Sequence, residues 1–286
     1  MAITNIRQQV AADFRDKVAL EFALQKELKA LDRRMVNSFR ASMMRGMVPR
    51  ADDQLPQMTN TLVEHYQKVV AKFEGRIDDQ TPDEVSLTPD EKAVLAAALT
   101  TYISGRAPEQ ASIILNTTQS EMQASATIAN QSTEDQIERA LVASALLSRR
   151  LVARRGTIAA LETQAPAEAT KSAEYDTMAG RTPLSSERPE EDLNKEWVTL
   201  GDEVVRPTHV LADSQVQPID KPFSVGGQML RFPGDTTLGA TIGNVANCRC
   251  SAVYDTGAVA AMRIRKGQAP QFDPVASPTL MVSMDA

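Results

Sequence analysis

Leu24-Gln25-Lys26-Glu27-Leu28-Lys29-Ala30-Leu31-Asp32-Arg33-Arg34-Met35 is the stretch that decides the fold class. Leu24, Leu28, Leu31 and Met35 recur at steps of four, three and four, which places them on one side of an α-helix. Val10, Phe14 and Val18 continue the stripe backwards and Phe39 continues it forwards. No proline interrupts Asn5 to Met47, and Gly46 comes at the end, so one long helix is predicted there. Its stripe is a candidate docking face for another protein. Basic residues outnumber acidic ones over the first fifty positions, which suits either a solvated helix face or a polyanion.

Working outward, Pro49 to Pro56 reads as a turn, and Leu62, Tyr66, Val69, Val70 and Phe73 mark a second helix that stops at Gly75. His65 on it has no second ligand-type residue at helical spacing, which is the pattern of a surface or satisfied core histidine. Thr88-Pro89-Asp90-Glu91 is a capping box and opens a third helix through Leu95 and Leu99 to Gly105. Pro108 is expected to start a fourth, weakened by the hydroxyl-rich Thr117-Thr118-Gln119-Ser120. Ser132 to Asp135 signals another start, with Ile137, Leu141, Leu146, Leu151 and Ile158 carrying a helix to about Thr163 and a short helical piece following Pro166. Arg149, Arg150, Arg154 and Arg155 fall on one side of it and are the best candidate phosphate contacts, against the alternative of an ion-paired face.

Beyond Gly180 the pattern changes. Apolar runs shorten, glycine and proline become frequent, and the unit from Trp197 reads as short strands and turns. The expected architecture is therefore a mainly α region over 1–179, a connector over 180–194, a small α+β unit over 195–257 and an extended tail over 258–286. Composition agrees: of 286 residues 42% are apolar but only 4% aromatic, so the core must be aliphatic and methionine-rich, which favours helix packing. A net charge of -6 argues against a surface wholly devoted to nucleic acid. Met1 to Asn5 has no apolar leader segment, and no run approaches the roughly 18 apolar residues of a membrane span, so a soluble, unsecreted chain without a membrane segment is expected. Two cysteines one residue apart are badly placed for a disulfide and point to a reducing compartment.

The chemistry-bearing residue types gather between Trp197 and Tyr254: the only tryptophan, both cysteines and one of two histidines. Asp202, Arg206 and His209 at steps of four and three would share a face if helical. Cys248 and Cys250 with His209 form a possible Zn²⁺ set, with Asp202, Asp213 or Asp235 as the fourth ligand, although paired zinc cysteines usually stand two residues apart. The competing account has the cysteines simply packing, with no cofactor. A Cys/His nucleophile is conceivable, yet no oxyanion turn, phosphate loop or paired carboxylates accompany it, so an enzyme is not expected. In the structural account Trp197 plugs a small core, Asp202 and Arg206 tie loops, and Phe232-Pro233-Gly234-Asp235 is a turn.

The order Lys195-x-Trp197, Asp202, Val205-Arg206, His209, Phe223, Gly227, Pro233-Gly234-Asp235 and Asn247-Cys248-Arg249-Cys250 resembles the C-terminal domain of the Mu F-like minor head proteins of tailed phages, also called head morphogenesis proteins. Ile158-Ala159-x-x-Glu162-Thr163 looks like that family's preceding helix, so the likeness spans about residues 150 to 255. Many relatives carry a histidine just before the Asn-Cys-Arg-Cys element, where this chain has Gly243-Asn244-Val245-Ala246. The resemblance implies a virion protein made in the host cytoplasm with the procapsid, oligomeric at the portal vertex beside other head proteins and packaged double-stranded DNA, and acting in assembly, packaging or ejection. It would make the portal the partner for Leu24, Leu28, Leu31 and Met35. Two other classes stand beside it: a DNA-binding ejection protein working through the four arginines, and an enzyme or toxin-like domain using His209 with Cys248 or Cys250.

Overall fold

A computed structural model describes residues 3–186, 188 and 191–267. The leucine stripe lies on α1 (Ile3–Met43), which packs with α2 (Leu55–Phe73), α3 (Pro89–Ser132) and α4 (Gln136–Met178). Leu24, Leu28, Leu31 and Met35 are at most 3% exposed and form one core with Leu62 and Tyr66 of α2, Ala107 and Ala111 of α3, and Ala143 and Leu147 of α4. The expected docking face is therefore wrong: the stripe is covered by the chain's own helices. A helical stripe records only that a face is buried, not by which molecule.

The helix starts follow the local signals. Thr88 accepts from Glu91 N while Glu91 accepts from Thr88 N, closing the capping box on α3, and Asp135 accepts from Glu138 N at the start of α4. The expected breaks at Gly105–Pro108 and at Pro166 do not occur, and α3 and α4 run straight through them. Each proline removes one N–H and costs about 3 kcal/mol in a helix interior. Ile103, Ala107 and Ala111 around Pro108 are buried in the helical core, and Ala165, Ala167 and Ala169 around Pro166 are buried as well, and that packing outweighs the lost bond. The α3 hydroxyls do not compete with the helix either. Thr100, Thr117, Thr118, Ser120, Ser125 and Thr127 each donate back to the carbonyl four residues earlier.

From Ala159 to Ala179 every residue of α4 and its cap is buried except Ser172. Helices α1 to α3 cover one side of this segment, and a small sheet unit covers the other. That unit holds β1 (Asn194–Thr199), α5 (Pro207–Val210), β2 (Gln215–Pro218), β3 (Phe223–Val225), β4 (Gln228–Leu230), α6 (Ile242–Val245) and β5 (Cys250–Tyr254). The antiparallel order is β2-β1-β5, with Trp197 opposite Gln215 and Ala252, and Thr199 opposite Cys250. β3 and β4 form a separate hairpin around Gly226-Gly227, both at positive φ. Trp197, Phe223, Phe232, Ala252 and Tyr254 share a core with Leu161, Ala173, Tyr175 and Met178 of α4. Gly234 (φ +88) lets the Phe232–Asp235 turn sit against that helix, since a Cβ there would lie 3.0 Å from Gln164 Cγ.

Residues 180–193 contain no helix or strand among those described, and Asp176 at the end of α4 holds them by accepting from Arg181 and from Leu184 N. The tail expected to run extended from 258 instead begins as α7 (Thr256–Arg265), capped by Asp255. Arg263 on α7 is fully buried and makes two bonds to Glu91, so the helix is anchored to the start of α3. Positions 268–286 of the expected tail lie outside the described residues.

Candidate metal centre

Gly201 (φ +76) and Pro207 shape the approach to His209. The residue before a proline is pushed out of the helical region, and Arg206 is extended (φ -62, ψ 145) as the N-cap of α5. The helical turn expected to align Asp202, Arg206 and His209 is therefore absent. Asp202 pairs with Arg249 at 2.8 Å instead, and Arg206 donates to the carbonyls of Asn244 and Ala246. These contacts tie the loop after β1 to the segment that leads into β5.

His209 is 1% exposed, and its ring meets the Trp197 indole edge-on at 5.7 Å between centroids. Its Nε2 lies 2.9 Å from the Asn244 carbonyl oxygen and 3.1 Å from Asn244 Oδ1. The Asn244 amide nitrogen is committed to the Val225 carbonyl, so both groups facing Nε2 are acceptors and Nε2 carries the proton. Nδ1 then faces Cys250 Sγ at 3.3 Å and Cys248 Sγ at 3.6 Å. Asn247, at φ 53, turns the chain through the left-handed region so that both cysteines of Asn-Cys-Arg-Cys reach the same imidazole.

His209, Cys248 and Cys250 thus offer one nitrogen and two sulfurs within 4.8 Å of one another, and all three residues are buried. The set is able to hold a metal ion. A second ring nitrogen anchored on a backbone carbonyl is the arrangement that orients a metal-binding histidine. The two thiols differ: hydrogen bonds with Cys250 and His209 lower the Cys248 thiol from its ordinary value, and donation to Cys248, with burial, raises Cys250. The expected carboxylate ligands are occupied elsewhere. Asp213 accepts from Thr199 N and Oγ1, Asp235 from Arg231 N and Thr237 N, and Asp202 from Arg249.

The four arginines do not form one free positive face. Arg154 turns to α3, with Nε 3.3 Å from Glu121, while Arg155 turns to α1, with Nη2 2.7 Å from Asp32. Arg149 is exposed and Arg150 half-buried. Consecutive residues on a helix diverge by about 100°, and here the neighbouring helices on either side claim one arginine each.

A buried charge network behind the cysteines went unread in the sequence. Lys17 and Asp13 of α1 meet Glu168 and Lys171 of α4, all at most 3% exposed, with Lys17 Nζ 2.5 Å and Lys171 Nζ 3.0 Å from Glu168 Oε1. Ser251, next to Cys250, joins through Glu168 Oε1 at 2.8 Å and Lys171 Nζ at 2.6 Å. The i,i+4 and i,i+3 spacings of these pairs were visible, but such pairs normally mark solvated faces. Asn244, within the Gly243–Ala246 stretch ahead of the cysteine loop, carried no signal of its contact with His209.

Comparison with known proteins gives no significant match to a family model, a curated protein or a solved structure.

Proposed function

We propose that this chain is a structural assembly protein of the minor-head type, working at the portal vertex of a tailed-phage procapsid, with His209, Cys248 and Cys250 holding a zinc ion that staples its C-terminal unit. The observation that carries the structural reading is where the motif residues point. Trp197, Arg206, Asp235 and Arg249 are spent on internal contacts, and the two cysteines are 7% and 2% exposed, so the constellation joins elements to one another. Two thiolates and an imidazole suit zinc better than the oxygen-seeking magnesium or calcium. Bound there, the ion would supply a cross-link between α5 and the start of β5. The ordered motif set that resembles the Mu F-like proteins supplies the viral context.

Mass spectrometry of procapsids and mature particles made from the encoding genome tests the assembly role, with peptides of this chain expected in the procapsid fraction. Their absence from both fractions would end it. Elemental analysis of purified protein tests the metal, with about one zinc per chain expected, lost in Cys248→Ser/Cys250→Ser.

A further inference from the structure

The two residues that flank Cys250 at the metal loop both contact the start of α1. The Arg249 guanidinium lies over the Phe14 ring at 4.5 Å, within a second contact of Asp202. Cys250 is a ligand-type residue of the cluster. Ser251 Oγ reaches Asp13 Oδ2 at 3.4 Å and the buried Lys171 and Glu168, while Glu168 also accepts from Ala252 N. Glu168 is bound in turn by Lys17 of α1. A little further along the same helix, Glu21 is close enough to feel the Arg249 charge. At the other end of the site, Arg7 of α1 pairs with Asp213, whose carboxylate holds Thr199 opposite Cys250.

Asp13, Lys17 and Glu21 carry the face of the Leu24–Phe39 stripe back toward the start of α1 at steps of four, with Phe14 beside them, so that one face is charged at its start and apolar further along. The helix is therefore held by two separate sets of contacts. Its middle is held by apolar packing against α2, α3 and α4. Its start is held by polar and cation–π contacts to the Arg249–Ala252 segment and the network behind it, together with ion pairs from Asp13 and Asp16 to Arg76 and packing of Leu20 on Phe73.

We infer that occupancy of the His209/Cys248/Cys250 centre and docking of the first third of α1 are linked, with Arg249 and Ser251 as the couplers. This rests on the metal reading above. An ion bound at Cys248 and Cys250 fixes the backbone on both sides of Arg249, and a fixed Arg249 and Ser251 present the surface on which Phe14 and Asp13 sit. Linkage is reciprocal: a ligand that prefers the docked state stabilises docking, and loss of docking weakens the ligand by the same factor.

The test uses the full chain, with Zn²⁺ and then Co²⁺ as probes. Hydrogen exchange followed by peptide mass spectrometry is run on the zinc-loaded and chelator-stripped protein. Stripping should speed exchange at least tenfold over residues 6–20 while residues 24–43 stay protected. In competition with a chromophoric chelator, Phe14→Ala should weaken zinc at least fivefold although it removes no ligand. Arg249→Lys, which keeps the charge but loses the planar stacking surface, should fall between wild type and Phe14→Ala and guards against misfolding of the smaller side chain. Cobalt absorption should keep the same thiolate bands in both variants, showing an unchanged ligand set. Zinc affinity within twofold of wild type in both variants, together with zinc-independent exchange at 6–20, overturns the coupling and leaves the metal reading standing. Failure of wild type to take up zinc or cobalt at all overturns both.

Discussion

Lys171 Nζ on α4 lies 3.0 Å from Asp13 Oδ2 on α1, with both side chains at most 2% exposed. The pair cannot be exchanged for water without opening the junction of α1, α4 and β5. Removing one member of such a pair strands a buried charge, at a cost of roughly 3–5 kcal/mol. Lys171→Met should lose about that much in urea unfolding, with Asp13 and Glu168 then sharing Lys17. A loss under about 1 kcal/mol would mean that water enters the site.

The same network sets the acid limit. Burial by itself would raise the Asp13 and Glu168 carboxyls, but Lys171 and Lys17 outweigh it and hold both below the ordinary carboxylate value. A depressed acid stabilises the fold above its unfolded value, and that contribution disappears as pH falls through the folded one. Stability should therefore drop below about pH 4, and Asp13→Asn should flatten the drop.

His65 acts in the same direction at higher pH. It is 1% exposed and bonds Thr163 Oγ1 at 2.9 Å; burial first, and then Lys68, bring its value down from 6.5 to about 4. The folded state takes up this proton later than the unfolded chain, so the contribution is complete above pH 6.5 and is lost as pH falls toward 4. The full amplitude is about 3 kcal/mol. The urea midpoint of wild type should fall between pH 7 and pH 4.5 by more than that of His65→Gln, which keeps an amide to face Thr163 and has nothing to titrate.

Leu31 is 1% exposed at the centre of the helical core. Leu31→Ala should cost about 2–5 kcal/mol of global stability, measured by thermal or urea unfolding. A variant of unchanged stability that loses only a binding partner would restore the docking role assigned to this stripe from sequence.

Asn247 holds φ 53 at the turn into Cys248. Glycine occupies that region freely, whereas a β-branched residue pays roughly 1–2 kcal/mol or more. Asn247→Gly should keep both the melting temperature and the zinc content, and Asn247→Val should lower both. Equal behaviour of the two variants would show that the cysteine loop reaches His209 without the left-handed turn.

The sequence by itself determined the local chemistry. The Leu24–Met35 stripe, the Thr88 capping box and the glycine-rich change of texture after α4 are all set by neighbours within a few residues, and such neighbours act through the helical repeat and the geometry of caps. Gathering tryptophan, histidine and both cysteines into one stretch also made the C-terminal unit the place to look. Tertiary structure decided the rest, because burial depends on what arrives from far along the chain. Only packing carries α3 and α4 past Pro108 and Pro166, and only the enclosure of α4 between bundle and sheet turns Glu168 and Lys171 from ordinary surface charges into a buried network. Likewise Asp202 and Arg206 looked like partners because they are four residues apart. The extended backbone before Pro207 parted them, and across the fold each found a partner supplied by the loop that carries the cysteines.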